Sequence, residues 1–206
     1  MFNCLIIGGG VSGVSCALIL GSALKKPFMT NKKIGIITHQ KASMLQDAVF
    51  NNAYGIAPNT LGSDLLKNTI EDLQHLYPEI QQIANEKVVS ITTNGTFFLV
   101  TTNENIYEAE TIVLAINSSN PFTIDGFLHD FVIPHKKSLP QKNRIQLANN
   151  DHLVTSGVYV AGTLAGHRSQ LAIAAGSGAA VATDILTLWN NGVETHAHDS
   201  IRKKEA

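Results

Sequence analysis

The stretch Phe2-Asn3-Cys4-Leu5-Ile6-Ile7-Gly8-Gly9-Gly10-Val11-Ser12-Gly13-Val14 decides the fold. Phe2 to Ile7 is a nearly continuous apolar run, which suits a strand buried on both faces of a parallel sheet. Three glycines break it. From Val11 to Leu24 the apolar positions Val11, Val14, Ala17, Leu18 and Leu24 follow helical spacing. Lys25 and Lys26 fall at the end of that helix, where cations meet the negative end of the dipole, and Pro27 stops it. Ile34-Gly35-Ile36-Ile37 reads as a second buried strand, so the opening segment is a βαβ unit. Gly8-x-Gly10-x-x-Gly13 then sits between strand and helix. The first glycine permits a tight turn, the second lets the backbone approach a pyrophosphate, and the third lets helix and strand pack closely. Helix N–H groups and the dipole would hold the anion. In this setting the turn, with Val11 and Ser12 opening the helix, points to a bound dinucleotide; a glycine-rich turn that only packs is the alternative. The pattern also expects an acid after the second strand to bond a ribose hydroxyl. Thr38, His39 and Gln40 stand there instead, leaving either Thr38 or Gln40 as a weaker ribose partner or a ligand that carries a phosphate there, and His39 as a group to stack near adenine.

Composition bounds the rest. The chain has 206 residues, 44% hydrophobic and 15% charged, the size of a single domain with a self-sufficient core rather than a solvated disordered chain. With Lys+Arg 15 against Asp+Glu 16, the net charge is −1, without the basic footprint of a nucleic-acid binder. No continuous apolar run reaches the ~18 residues of a membrane span. Met1 to Ile7 lacks the basic start of a signal peptide. Cys4 and Cys16 make neither a disulfide framework nor a CxxC. The expectation is a soluble, cytoplasmic α/β protein with no metal site: one domain over residues 1–192 and a polar tail over 193–206, frayed from His196 on.

Residues 41–60 show no period. Leu61, Leu65, Leu66, Ile70, Leu73 and Leu76 then mark an amphipathic helix, with Ser63 as N-cap and Pro78 at its end. Val88 to Thr92 and Thr96 to Thr102 flank Asn94-Gly95, a strong hairpin signal, and a turn at Asn103–Asn105 adds a third strand. Ile112 to Ile116 is another buried strand. Residues 117–157 are polar and Pro-punctuated, with Arg144 to Ala148 a candidate strand. Val158 to Ala161 is the last strand, and a helix rich in Ala and Gly runs from Gln170 to Trp189. The fold class is therefore α/β: a mainly parallel, Rossmann-like sheet with helices on both sides and a three-stranded antiparallel meander.

This order resembles the FAD domain of the thioredoxin-reductase-like pyridine nucleotide–disulfide oxidoreductases. Gly8 to Gly13 matches the family's FAD-pyrophosphate motif. Val113-Leu114-Ala115-Ile116-Asn117 sits where the family has its Ala-Thr-Gly strand end. Thr155 to Thr163 looks like its TSVPGVYAAGD segment, and Ser169 to Gly178 like its RQAITAAGSG helix start. The likeness covers about 1–117 and 125–192. It implies bound FAD, with Ala115, Ile116, Asn117, Gly162 and Thr163 along the cofactor, Gln170 and the Leu171 backbone at the flavin ring, and Val88 meeting adenine through its backbone. It also implies an oxidoreductase or electron-transfer role, a redox partner protein or small-molecule reductant, and a homodimer.

The departures are equally specific. The family's NADPH domain and its redox CxxC belong between the two blocks, where only a short connector lies. Asn117 replaces the glycine of Ala-Thr-Gly, and Thr163 replaces an aspartate. Two other readings stay open: a non-catalytic, degenerate or sensing dinucleotide-binding protein, and an NAD(P)-dependent dehydrogenase. No side chain stands out as a general base or nucleophile. Cys4 and Cys16 read as small buried hydrophobes, and Phe97, Phe98, Tyr107 and Tyr159 as strand core. Trp189 is read as covering the core or a dimer contact. His129 and His135 lack metal-ligand spacing, and His196 and His198 fall in the tail. His167-Arg168, just before the last helix, is a candidate for substrate or phosphate contact.

Overall fold

In a computed structural model, residues 1–38 and 43–197 are described. The first half comprises β1 (Cys4–Ile7), α1 (Val11–Ser22), β2 (Ile34–Ile37), β3 (Val49–Phe50), β4 (Thr60–Leu61), α2 (Gly62–Leu76), β5 (Gln81–Ile83), β6 (Val88–Thr93) and β7 (Phe98–Thr102). The second comprises β8 (Ile106–Ala109), β9 (Ile112–Leu114), β10 (Asp125–Gly126), β11 (Val132–Pro134), β12 (Ile145–Leu147), β13 (Leu153–Thr155), β14 (Val158–Val160) and α3 (Leu171–Trp189).

The main sheet has six strands in the order β13-β14-β9-β1-β2-β5. β14, β9, β1, β2 and β5 run parallel, and β13 pairs antiparallel at the edge. Side chains alternate across these strands. Leu5 and Ile7 of β1, Ile112 and Leu114 of β9, and Val158 and Val160 of β14 face one core. Cys4 and Ile6, Val113, and Tyr159 face the other. Both faces are apolar, which is why these strands read as unbroken hydrophobic runs.

The expected helices on both sides are not what covers them. α1, α2 and α3 supply Val14, Ala17, Leu20, Leu73, Val181, Ala182, Ile185 and Leu186 to the Cys4/Ile6 face alone. The opposite face is covered by the meander and the connector, through Val88, Ile91, Val100, Phe122, Ile124, Leu128, Ile145 and Leu147. The meander is also larger than expected: β10 joins β6–β8 as a fourth strand, parallel to β6. Its hairpin loop runs from Asn94 to Phe97, with the Asn94 Oδ1 accepting from the Thr96 and Phe97 amides at 3.0 and 3.1 Å. Phe97 is therefore a turn residue, while Phe98 is buried strand core.

Leu61, not Ser63, occupies the N-cap of α2; Ser63 lies inside the first turn, where its hydroxyl meets only the Asp64 carboxylate. The connector, which the sequence left largely unassigned, folds around the antiparallel pair β11–β12. No second glycine-rich βαβ turn appears in it. α3 is long and apolar enough, by length and composition, to cross a membrane, which no single apolar run had suggested. Its Val181, Ala182, Ile185 and Leu186 are nevertheless fully buried, the pattern of a core helix. The start of the tail is packed rather than frayed. Thr195 and Ala197 are buried, and the Thr195 amide donates to the Thr187 hydroxyl at 3.1 Å. His198 lies outside the described residues, and His196 is exposed.

Candidate functional site

The site forms where β1, β2, β9 and β14 end. In an open parallel sheet the carboxyl ends of the strands carry the binding crevice. The Gly8–Gly10 turn leaves β1 here, and Gly8 needs φ +121°, with its backbone against the Ala115 carbonyl. Gly13, one turn into α1, packs against the Gly8 carbonyl oxygen, leaving no room for a β-carbon. At Gly10, by contrast, a β-carbon would meet nothing within 4 Å. A side chain there would project into open cleft, the space a ligand's diphosphate needs.

Two helix N-termini meet at this point. α1 is capped by Gly10 and α3 by Gln170, neither with a side-chain hydrogen bond to its first turn, and neither helix has an acid there. Their leading N–H groups have neither intrahelical acceptors nor an internal carboxylate, so they remain free for an external anion or acceptor. The helices are locked together behind the site. The Ser15 hydroxyl donates to the Ala175 carbonyl at 2.8 Å, and Gly178 packs against the Ser12 carbonyl, where any β-carbon would collide.

Between these ends runs a cleft of about 410 Å³, within the range of small-molecule and cofactor sites. Of the residues expected at a cofactor, it is lined by Gly8, Gly10, Val11, Ser12, Thr38, Ala115, Ile116, Asn117, Gly162, Thr163 and Gln170. Gly13 stands behind the lining, as its packing role requires. Leu171 is buried at the start of α3 and does not line the cleft. Val88 is fully buried in the core beneath the sheet and also lies off the cleft. His39 and Gln40 lie outside the described residues. Thr38, at the expected position of the acid, points its hydroxyl to the Ile83 carbonyl at 3.4 Å.

Sequence reasoning missed the other wall. Ser43, Leu45, Leu66, Ser119 to Thr123, Arg144 and Ser169 all reach the cleft. Ser43 and Leu45 come from the patternless 41–60 stretch, and Ser119 to Thr123 and Arg144 from the connector, where no periodicity could have flagged them; Leu66 lies on α2 and Ser169 just before α3, in segments whose period or motif was read but whose place at the cleft was not. The Arg144 guanidinium donates to Ser118 Oγ at 3.2 Å.

The segment after β14 is held from behind by buried polar groups. Gly162, at φ +72°, donates its amide to Ser177 Oγ at 2.8 Å. The same hydroxyl is 3.0 Å from His152 Nε2, which is 3.1 Å from His167 Nε2. His152 Nε2 thus meets both neighbours, which leaves Nδ1 as its other ring nitrogen. That Nδ1 has no hydrogen-bond partner and lies 3.6 Å from an Asp151 carboxylate oxygen. Burial, then the nearby His152 and Lys137, hold His167 below the usual histidine range. His167 and Arg168 line a neighbouring cavity rather than the cleft itself.

The remaining candidates are structural. Cys4 and Cys16 are free and buried, with burial raising the Cys4 thiol to about 12 and the Cys16 thiol well above its ordinary value. His129 stands edge-on to Phe122, His135 is buried, and Trp189 packs on the core with the Lys32 ammonium 5.0 Å from its ring. No group of His, Cys, Asp and Glu able to hold a metal occurs among the described residues.

A parallel α/β sheet with a glycine-rich turn and two helix ends on one elongated cleft is the architecture of a dinucleotide-binding domain. Within that class, residues 2–173 match the model of the pyridine nucleotide-disulphide oxidoreductase family, and the chain belongs to it. This is a family of flavoproteins. Ferredoxin–NADP reductase 1 of Listeria welshimeri is 31% identical over a 126-residue match that covers 57% of this chain and 35% of that protein. The chain thus spans about a third of the length of this curated relative. Among solved structures, a thioredoxin reductase from Gloeobacter violaceus superposes with a TM-score of 0.69 at 14% identity, covering 100% of this chain and 98% of that one. A ferredoxin-flavin thioredoxin reductase from Clostridium acetobutylicum gives 0.67 at 17% identity, with 92% and 98% covered. At such identities the likeness concerns the fold.

Proposed function

We propose that this chain binds FAD in the cleft and serves as a small flavin-dependent oxidoreductase or electron-transfer protein, exchanging electrons with a redox partner protein or a small-molecule reductant. The observation that carries the reading is the single cleft joining the uncapped N-terminus of α1 to that of α3. The residues fit the group. Gly10 leaves room for a diphosphate at the first helix end, and Ala115, Asn117, Gly162 and Thr163 line the way towards the second. The first turn of α1, through the Val11 and Ser12 amides, would hold the diphosphate. Gln170 and the N–H groups opening α3 would favour negative charge developing at the ring end. When bound, the flavin supplies the redox chemistry, while the protein orients it and sets its electrostatics.

Thr38 in place of an acid costs one ribose contact, and this weighs towards weaker dinucleotide retention. Residues 1–192 form the cofactor-binding unit in this reading. The cytoplasm is the proposed location, in keeping with two free cysteines. A homodimer is part of the same proposal, with the exposed Leu188 and Val193 as apolar surface to cover; sedimentation at two concentrations tests it.

The decisive experiment is the visible spectrum of the purified protein, with the chromophore released by heat and identified. FAD at one per chain, reducible by dithionite and reoxidised by an acceptor, is the expected result. A colourless protein that takes up no added FAD overturns the proposal and leaves a degenerate or nicotinamide-binding domain.

A further inference from the structure

We infer that a second, basic cavity beside the cofactor cleft binds the anionic end, carboxylate or phosphate, of a small-molecule reaction partner. The words reaction partner rest on the flavoprotein reading above; the anion site stands on its own geometry. The cavity measures about 500 Å³, the size of a small-molecule site. Lys137, Lys142, Arg144 and Arg168 line it, together with His135 and His167. No acidic side chain does so among the described residues. The chain as a whole carries a net charge of −1, so this one-signed lining is a matter of placement. A concave site lined by one sign concentrates ions of the other.

The cluster is built into the connector rather than scattered on a loop. The His135 amide donates to the Arg144 carbonyl at 2.9 Å, which closes the β11–β12 pair around the cavity. The buried His135 accepts the Lys137 amide at its Nδ1, 3.1 Å away, and so sets the turn that carries this lysine. The Arg144 guanidinium is oriented by Ser118 Oγ. A planar guanidinium grips a carboxylate or phosphate in a fork, and lysines add point charge.

The cavity is joined to the cofactor cleft. Arg144, Thr163 and Ser169 line both. A molecule anchored by its anionic group among Lys137, Lys142 and Arg168 would extend past Thr163 and Ser169 towards Gln170, where the redox-active end of the cofactor is proposed to lie. The positive charges thus set what kind of molecule is presented to that end.

The test uses the full chain as purified, with its flavin-to-protein ratio recorded. Inorganic phosphate and malonate are titrated separately at low ionic strength, by calorimetry and by the imidazole NMR signals of His167. Saturable binding that moves the His167 signals is expected, and the tighter ion identifies the preferred anionic group. The paired substitution Lys137→Gln with Lys142→Gln should weaken binding by about tenfold or more, with an unchanged melting temperature and flavin ratio. Lys67→Gln on α2, outside the cavity lining and in the exposed Lys67–Glu71 pair, should leave binding unchanged. The inference is overturned if the wild type binds neither ion, or if the double variant binds as the wild type does, the ion then lying at the glycine-rich turn. It is also overturned if only an acidic polypeptide such as polyglutamate binds through these lysines. Lysine-dependent anion binding by a protein that takes up no flavin would sink the cofactor reading and leave this site standing.

Discussion

Gly10 and Gly13 belong to one motif and do separate jobs. Gly13 has the Gly8 carbonyl pressed against it, whereas Gly10 faces open space. Gly13→Val should therefore damage the fold itself, by about 1–3 kcal/mol or more through overpacking, seen as a lower midpoint in urea. Gly10→Val, at φ −80° in extended backbone, should leave that midpoint nearly unchanged while flavin content falls at least tenfold. Equal stability losses in both variants would refute this division. His167 offers a second test at this scale. Burial, His152, Lys137 and His135 depress its protonation and Asp151 opposes them, so it should titrate below 6.5 in an NMR pH series. Lys137→Gln should move that titration upward. Because the folded-state value is the lower one, the associated stability is complete above 6.5 and declines as pH falls through the folded value. Gly8 and Gly13 were legible because backbone geometry demands glycine there, and the Gln170 helix start because it matches a family segment. Arg144 and the 119–123 wall were not, since their position follows from how the connector folds over the sheet.

α1 and α3 are the elements that hold the site, and they pack closely on one another. Their register depends on Gly178 lying against the Ser12 carbonyl and on the Ser15–Ala175 hydrogen bond. Small residues in α3 thus serve a helix–helix approach as well as the core. Gly178→Leu should disrupt the seam and lower both stability and flavin content. Ser15→Ala should cost about 0.5–1.5 kcal/mol and leave the flavin spectrum in place, as checked by urea denaturation and absorbance on the same sample. At this scale helical period placed α1, which ends at Ser22 and so leaves Lys25 and Lys26 beyond its last turn, while the N-cap reading misplaced the start of α2. Ser63 is a good N-cap residue by type, yet Gly62 is the helix's first residue and packs against the Leu45 carbonyl, an approach only tertiary contact reveals.

For the whole molecule, the cleft has walls from both halves of the chain, Gly8 and Thr38 on one side and Gly162 and Gln170 on the other. A ligand bridging them stabilises the folded state by mass action. Adding FAD to flavin-depleted protein should raise the melting temperature with increasing FAD concentration, and an unchanged melt across a hundredfold range of FAD would contradict the site. The parallel βαβ start, three strands of the meander and the last helix were readable from the residues alone, because strand and helix periods and glycine placement are local properties that survive without knowledge of neighbours. The tertiary structure alone decided which layer covers which face of the sheet, since a strand that is apolar on both sides does not say whether helices or strands will cover it. It alone gathered the connector's positive side chains beside the cleft, because charges far apart in a chain become a site only when packing brings them together.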